Sequence, residues 1–423
     1  MKWFRRKSTS EETVPDADLA HRDFLKKLAS AGAIGAAVST LMPREAQATY
    51  SNGIAPGGGD LVDTHLTVQG NLTIKGPNPW VDIRAYGADT AAADNTAAIQ
   101  AAINAAGSDG GTVFFPAGTF KCTGSLSLDG KTGIQLMGAR MSEGVRSPTL
   151  QYTGFGPAFL SLHSSSDIRL HGLSIQYDNT SFSGVLVDCD NINSSDTSLV
   201  RIEHCSFSGL GSAVNARACI RLNNTICSSV RNCSFLRART AILGRDSGYS
   251  NAIQIECCEF GSADPSVSLS EANIKNGGEA WLISGCTFEP ISNGSVVAYW
   301  QDPTPQGGYA RGLAFVGNWF GDASAAGVCV TAKALGFAAT GNFFAIGSPA
   351  ASVCLRLAQS EGIHIAGNEI QGDTGIDVVA FAIGLSVIGN KFFGVRVPVS
   401  NLNGITPGTR AFLGNSGLSN DVQ

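Results

Sequence analysis

The sequence predicts an all-β fold, a parallel β-helix solenoid preceded by a capping α-helix. The first observation is compositional: glycine supplies 51 of 423 residues, and only 15% of the residues are charged. Such a composition is typical of many short strands joined by turns. The second is a short motif that recurs along the chain, and the third is a helical pattern just before it. We therefore expect one solenoid domain over residues 81–418, with a helix cap near 95–106.

The recurring motif is an apolar residue, two variable positions, a cysteine or asparagine, one variable position and a phenylalanine. Ile202–Phe207 and Val230–Phe235 are two of its clearest copies. The cysteine or asparagine position is occupied in turn by Cys205, Cys233, Cys258, Cys286, Asn318, Asn342, Asn368, Asn390 and Asn415. Successive copies lie roughly 22 to 32 residues apart, within the range of solenoid repeats. Each repeat also holds a second short apolar strand, such as 184–187, so one repeat is expected to form one turn of the β-helix.

The repeat also explains the eleven cysteines. Equivalent residues of stacked turns lie one strand spacing apart, so the four motif cysteines should form one column inside the solenoid. We expect free thiols there, because free cysteine behaves as a small apolar core residue. Disulfides in some pairs, or a redox or metal-binding role, are the alternatives. The asparagines that continue the column can bond to one another and to the turn backbone through their amides.

A helical pattern over residues 97–106 lies immediately before the first solenoid strand, which is expected within 110–120. Residues 94–96, Asp-Asn-Thr, supply a plausible N-cap for this helix. Ile99 and Ile103 then share one face of the helix, one turn apart. Because the open end of a solenoid exposes its core, an amphipathic helix at this place would cover it.

Residues 1–48 are predicted to be an export signal. A basic start is followed by an apolar, small-residue run over 28–42 and by Ala46–Ala48 (Ala-Gln-Ala), the pattern that a signal peptidase needs. The run is too short to span a bilayer well. The segment that starts at His21 resembles a twin-arginine signal, but this histidine replaces the first arginine, so the Tat and Sec routes both stay open, as does a leader that is never cleaved. We expect a periplasmic or extracellular protein, with an N-terminal extension over 49–80 and no membrane span after signal removal.

Three segments at the start of the predicted domain form a dense pattern. They are Asp82–Ala88 (D-I-R-A-Y-G-A), Asp94–Ile103 (D-N-T-A-A-I-Q-A-A-I) and Gly110–Phe120 (G-G-T-V-F-F-P-A-G-T-F). Together they resemble the opening of the pectate-lyase-like β-helix superfamily, often labelled glycoside-hydrolase-28-related. The family's glycine-rich link before the helix is replaced here by residues 90–93, Thr-Ala-Ala-Ala. The resemblance implies a right-handed parallel β-helix that handles long sugar chains, since the superfamily includes pectin hydrolases, lyases, uronate epimerases and phage tailspike depolymerases.

The resemblance does not extend to a known catalytic motif. Polygalacturonases of this fold carry acids in N-T-D, Q-D-D and G-H-G segments on three consecutive turns, and none of these strings occurs in the chain. The D-P-H-[DE] signature of alginate epimerases is absent as well. The sequence therefore predicts the fold and the class of substrate without showing the reaction.

Polar residues at the ends of strands between residues 184 and 275 are the best candidates for chemistry. Asp188 and Asp190 should point to the same side of a strand. Two such carboxylates could serve glycoside hydrolysis as acid and nucleophile or base, or could bind Ca²⁺, the one cofactor that the sequence suggests. The further catalytic candidates are Arg221, Asp246 and Glu271. A lyase needs a base together with a group that stabilises an enolate.

Substrate-binding candidates surround these residues. Arg245 is charged, and Tyr249, Tyr299 and Trp300 could stack on sugar faces. Each candidate could equally be a solvated turn residue or, for the aromatic ones, a packing residue. No metal-ligand spacing supports a defined metal site.

Two functions from different classes fit these observations. The first is an enzyme that cleaves or modifies an acidic polysaccharide, as a lyase or a glycoside hydrolase. The second is a non-catalytic polysaccharide-binding or surface structural β-helix. Nucleic acid is not an expected partner, because phosphate binding needs a basic surface and the formal net charge is −5. A homotrimer, as in tailspikes, is left open by the sequence.

Overall fold

The computed structural model describes residues 79–107, 110–139, 147–190, 197–211, 213, 215–244, 249–261, 272–289, 297–303, 308–321, 327–346, 352–401, 403, 405 and 410–417, together with the backbone of 73–74. All of them belong to one compact unit, Gln69–Gln423. The predicted export signal and nearly all of the predicted N-terminal extension lie outside the described residues. Within the part that is described, no helix is long and apolar enough to cross a membrane.

The described chain winds into stacked turns that contribute strands to three parallel sheets, here called sheets 1, 2 and 3 in the order in which a turn visits them. Hydrogen bonds join sheets 1 and 2 into one 24-stranded sheet, and sheet 3 has 11 strands within the described residues. The predicted all-β, parallel β-helix fold is therefore confirmed. The strands of sheet 1 are Leu126–Ser127, Ala158–Ser161, Val185–Asp188, Ala218–Arg221, Ile242–Leu243, Ala272–Lys275, Val297–Trp300, Val328–Ala332 and Val397–Ser400.

Sheet 2 runs beside sheet 1, and two long strands, Val353–Ala366 and Thr374–Ile388, pass through both. Its own strands are Trp80–Asp82, Gly111–Phe115, Ile134–Gly138, Arg169–His171, Thr197–Ser198, Arg201–Glu203, Thr225–Arg231, Ser250–Glu256, Glu279–Ser284, Ala310–Val316, Ala334–Thr340 and Arg410–Leu413. A short strand, Thr73–Ile74, pairs antiparallel with Trp80–Asp82.

Sheet 3 consists of short strands that follow the corner after sheet 2. They are Thr119–Cys122, Thr149–Tyr152, Ser174–Tyr177, Ser206–Gly209, Ser234–Leu236, Glu259–Phe260, Thr287–Phe288, Trp319–Phe320, Phe343–Ala345, Glu369–Gln371 and Lys391–Phe392. The second residue of most of these strands points inward. Six phenylalanines at that position stack ring on ring, with successive centroids 4.6 to 5.2 Å apart: Phe207, Phe235, Phe260, Phe288, Phe320 and Phe344.

Two helical segments precede the first complete turn. A 3-10 helix spans Ile83–Tyr86, and an α-helix spans Thr96–Ala105, close to the predicted place. The α-helix buries Ile99 and Ile103 in the core. Its start is held by Asp94, whose carboxylate accepts hydrogen bonds from the backbone N–H groups of Thr96 and Thr123 at 2.9 and 3.0 Å. That this helix caps the solenoid stays a prediction.

An asparagine ladder runs along the corner between sheets 2 and 3. Asn342 is typical: its Oδ1 accepts from the backbone N–H of Asn318 at 3.0 Å and from Asn318 Nδ2 at 2.9 Å. Its own Nδ2 donates to the carbonyl of Phe315 at 3.0 Å and to Asn368 Oδ1 at 2.9 Å. The same pattern repeats through Asn390 to Asn415. The ladder thus satisfies buried backbone groups of each turn with the amide of the next one.

The motif cysteines continue this column toward the N-terminus as free, buried thiols, which confirms the predicted inward column. The thiols of Cys233, Cys258 and Cys286 take over part of the role of an amide, because each donates to a carbonyl of the preceding turn. Cys286 Sγ donates to the carbonyl of Ile255 at 3.6 Å, much as Asn318 Nδ2 donates to Ile283 at 2.9 Å. The backbone N–H of Cys286 donates to Asn318 Oδ1 at 3.0 Å, and this bond joins the two parts of the column.

Replacing Asn342 with alanine should destabilise the solenoid strongly. The substitution leaves the backbone N–H of Asn318 and the carbonyl of Phe315 without these partners inside the core. Each buried unpaired group costs about 1–3 kcal/mol, so the free energy of unfolding should fall by on the order of 3 kcal/mol. Urea denaturation measures the change. The control is Asn104→Ala on the exposed side of the α-helix, and an Asn342→Ala loss no larger than that of the control would contradict the ladder's role.

Candidate functional site

A grid of polar side chains lies on the outer face of sheet 1 and of the turn that follows it. Its first column comes from strand residues that are neighbours in register: Ser127, Ser161, Asp188 and Arg221. Its second column lies two residues later in each turn: Asp129, His163, Asp190 and Asn223. The residues between the columns, such as Leu162 and Cys189, are buried in the core. Alternation along each strand therefore sends both columns to the outside.

Asp188 is at the centre of this grid. Arg221 binds its carboxylate with two hydrogen bonds, from Nε to Oδ1 at 2.7 Å and from Nη2 to Oδ2 at 2.7 Å. His163 Nε2 lies 3.2 Å from Asp188 Oδ2. The Asp188 side chain is only 5% exposed. Since both oxygens are engaged, Asp188 orients its neighbours and is poorly placed to attack a substrate itself.

Asp190 shares the same guanidinium. Its Oδ2 lies 3.0 Å from Arg221 Nη2, while its Oδ1 accepts from Asn223 Nδ2 at 2.8 Å and from Asn224 Nδ2 at 3.1 Å. The expectation that Asp188 and Asp190 point to one side agrees with this geometry. The two carboxylates therefore share the Arg221 guanidinium as the cation between them. Within the described residues, no group of three or more His, Cys, Asp or Glu side chains is arranged to hold a metal ion.

His163 is the group in the grid that sequence reasoning missed. Its Nδ1 lies 3.8 Å from Asp129 Oδ1, so each ring nitrogen faces a carboxylate. A signal for it exists in the sequence, where each turn repeats an apolar–polar–apolar–polar quartet: 126–129 (L-S-L-D), 160–163 (L-S-L-H), 187–190 (V-D-C-D) and 220–223 (I-R-L-N). Aligning these quartets places His163 beside Asp190 without any structure.

The charges of the grid shift two pKa values in opposite directions. The pKa of His163 is raised above its ordinary value of 6.5 by the hydrogen bond to Asp188, and the negative charges of Asp188 and Asp129 add to this effect although burial opposes it. Burial raises the pKa of Asp188, but the hydrogen bonds from His163 and Arg221 outweigh it and hold this pKa below its ordinary value of 3.8. The cluster therefore favours a protonated histidine beside an ionised aspartate.

The outward row of sheet 1 continues beyond Arg221 through Leu243, Lys275, Trp300 and Thr331 to Arg356. Lys275 Nζ lies 5.2 Å from the centroid of the Trp300 ring. Trp300 is partly exposed, as the proposed stacking role requires. The ring of Tyr249 is exposed as well, and its backbone N–H donates to Asn224 Oδ1 at 3.2 Å, which places it next to the grid.

Tyr299 is a correction to the sequence analysis. Its side chain is fully buried, packs edge-on against Phe315 and donates a hydrogen bond from its hydroxyl to Gln301 Oε1 at 2.7 Å. Because neighbouring residues of a strand point to opposite faces, Tyr299 points inward where Trp300 points outward. The expectation of a sugar-stacking ring is therefore wrong for Tyr299. The other candidates Arg245, Asp246 and Glu271 lie outside the described residues.

Comparison with known proteins agrees with the fold. Residues 80–156 match the family model described as rhamnogalacturonase A/epimerase, pectate lyase-like. The catalytic unit of a thermostable GH87 α-1,3-glucanase from Streptomyces thermodiastaticus is 16% identical, with a TM-score of 0.50 over 82% of this chain and 70% of that one. PfbA, a surface adhesin of Streptococcus pneumoniae, is 14% identical, with a TM-score of 0.50 over 76% of this chain and 93% of that one. No curated protein sequence matches the chain.

A protein of Geobacillus virus E2, ORF18, is 14% identical, with a TM-score of 0.49 over 79% of this chain. The chain spans about three fifths of that protein's length, since the match covers 60% of it. The predicted resemblance to the pectate-lyase-like β-helix superfamily is confirmed. The family match ends at residue 156, so it says nothing about His163, Asp188, Asp190 and Arg221.

The pKa shift of His163 predicts a pH-dependent stability. A raised folded-state pKa means that the folded protein favours the protonated ring of His163. The contribution of this ring to the free energy of unfolding is therefore fully present below pH 6.5 and is lost as pH rises through the folded-state pKa. The free energy of unfolding of the wild type should therefore exceed that of His163→Gln at pH 6 by more than it does at pH 9. Denaturant midpoints across this range measure the difference. The exposed His364 provides the control substitution, and an equal pH trend in His364→Gln would contradict the assignment.

Proposed function

We propose that the chain is an exported, carbohydrate-active protein that binds an acidic polysaccharide along the outward row of sheet 1 and cleaves or modifies it at the grid. The observation that carries this proposal is the convergence of His163, Asp188, Asp190 and Arg221 on one outer surface. On consecutive turns, a side chain that can carry a proton meets two carboxylates and a cation there. Such a set is suited to acid–base chemistry on a bound sugar.

His163 is the proposed proton carrier, and Asp188 and Arg221 position it. In a lyase reaction, neutral His163 takes the proton from the carbon beside a uronate carboxylate. The bond between the next carbon and the glycosidic oxygen then breaks, a carbon–carbon double bond forms, and the departing oxygen takes up a proton. In a hydrolase reaction, protonated His163 gives its proton to the glycosidic oxygen as the bond from this oxygen to the anomeric carbon breaks. Water then adds to that carbon and returns one proton to His163. The first role requires activity to rise with pH, and the second requires it to fall.

The rest of the row supplies a binding surface for a polymer. Adjacent turns are separated by about 4.8 Å, close to the length of one sugar residue, so a chain that runs along the solenoid can meet one row residue per sugar. Lys275 and Arg356 attract carboxylates, and Trp300 offers an aromatic surface between them. The exposed ring of Tyr249 adds a second aromatic contact near the grid.

A second function, polysaccharide binding without catalysis, is favoured by one specific observation. Arg221 binds both Asp188 and Asp190, so the two carboxylates already share a cationic partner within the protein. Such a cluster can be a structural ion-pair network on a binding surface. The activity experiment below separates the two functions.

The first experiment screens pectins, rhamnogalacturonan, alginate and bacterial exopolysaccharides, with and without Ca²⁺, for new reducing ends and for absorbance from unsaturated products. Unsaturated products indicate a lyase, and reducing ends alone indicate a hydrolase. His163→Gln and Asp188→Asn should each lower the rate by about 10²-fold or more, the usual contribution of acid–base catalysis. Asp167→Asn, which removes an exposed partner of Arg201 on another face, is the matched control. Full activity in both grid variants would refute the catalytic assignment.

Trp300→Ala should weaken binding of the active polysaccharide and change turnover little, because its ring touches the polymer away from the reacting bond. Loss of this stacking surface should raise KM or Kd about tenfold, equivalent to roughly 1.4 kcal/mol. Affinity electrophoresis in polysaccharide gels measures the change. Trp319→Ala, an exposed tryptophan on sheet 3, is the control, and equal weakening by both substitutions would argue against the row as the binding surface.

A further inference from the structure

A groove lies at the outer corner between sheets 2 and 3, away from the grid. It encloses a cavity of about 440 Å³, within the size range of small-molecule sites. Two short columns that follow the solenoid axis line it. They are His204, Asn232 and Cys257, here called the side residues, and, two positions later in each turn, Ser206, Ser234 and Glu259. Cys205, Cys233 and Ser147 complete the lining. The groove thus crosses three consecutive turns and is lined mostly by polar groups.

The side residues of the groove adopt an uncommon backbone conformation. His204, Asn232 and Cys257 have φ values of 54°, 51° and 52°, in the left-handed region. At the equivalent corner of seven other turns the residue is glycine: Gly172, Gly285, Gly317, Gly341, Gly367, Gly389 and Gly414. A side chain at this corner carries a conformational cost that glycine avoids, on the order of 1 kcal/mol for a residue such as cysteine. The three turns that keep a side chain here are consecutive, and all three side chains line the cavity.

The groove's chemistry identifies the kind of ligand. The hydroxyls of Ser206 and Ser234, the amide of Asn232 and the imidazole of His204 can donate or accept hydrogen bonds. They match the closely spaced hydroxyls of a sugar. The carboxylate of Glu259 can accept from such hydroxyls and repels an anionic group. The lining contains no large apolar side chain, which disfavours an apolar ligand.

We propose that this corner groove is a second carbohydrate site, one that holds one or two neutral sugar residues. The class of ligand rests on the proposed function, but the site lies on a different face from the grid. A polymer with both acidic and neutral units, or with neutral side branches, would engage the two sites with different parts of its structure. The sheet 1 row selects charge, and the groove selects uncharged hydroxyl-bearing units.

Cys257 makes this proposal testable without any turnover. Among the eleven cysteines only Cys227 and Cys257 are exposed, and of these two only Cys257 lines the cavity. The full chain is treated with a maleimide while neutral cello-, malto-, galacto- and chito-oligosaccharides are added, and labelling of each thiol is followed by peptide mass spectrometry. A sugar that fills the groove should slow labelling of Cys257 about tenfold when present at ten times its Kd, because only the unoccupied fraction reacts. Labelling of Cys227, the internal control, should not change.

The matched variants are His204→Gly and Asn232→Gly. Both place at the corner the residue that neighbouring turns already use, so the fold should be retained while sugar contacts are removed. We expect protection of Cys257 to disappear in the double variant. Absence of protection by every neutral oligosaccharide would overturn the proposal, as would protection by oligogalacturonate alone or protection that survives in the double variant. Asp188→Asn should leave the protection intact, so failure of the sheet 1 function and failure of the groove are distinguishable.

Discussion

The hydrogen bond from a buried corner N–H to the asparagine Oδ1 of the next turn is the interaction that aligns the turns of the solenoid from Cys286 to Asn415. At the corner between sheets 2 and 3 the chain changes direction inside the core, where water cannot satisfy its backbone groups. Asn318, Asn342 and Asn368 meet this requirement with both ends of their amides. Each amide also links consecutive turns, so it fixes which residue of one turn lies above which residue of the next.

In the earlier turns as well, the register between neighbouring turns decides what the outside of the protein can do. A shift of one residue between two turns would exchange the inward and outward faces of a strand. With the observed register, Asp188 lies beside Arg221 and His163 lies within reach of both Asp129 and Asp188. Register also stacks the phenylalanines of sheet 3 behind the corner. Where Phe320 and Phe344 stack beside Asn318 and Asn342, apolar packing and the amide column hold one alignment.

Three of the four turns that carry thiols in place of the amides also carry the groove. Cys205, Cys233 and Cys258 lie directly after His204, Asn232 and Cys257, so an inward thiol alternates with an outward groove residue at each corner. The chemistry of the two outer surfaces differs clearly: the grid joins opposite charges in a nearly closed network, whereas the groove presents mostly uncharged hydrogen-bonding groups to solvent.

The sequence by itself determined the solenoid, because the period of Cys205 to Asn415 and the spacing of apolar residues reflect a core that every turn must fill in the same way. It also determined that Asp188 and Asp190 share a side, since successive side chains of any strand point to opposite faces. The aligned quartets also place His163 and Arg221 next to the two aspartates. Only the tertiary structure decided that Arg221 binds both carboxylates and that His163 Nε2 meets Asp188, because these contacts depend on side-chain geometry between turns. The tertiary structure likewise decided which of Tyr299 and Trp300 points into the core. Either of two adjacent aromatic residues can occupy the inner face of a strand, and only packing against Phe315 sends Tyr299 inward.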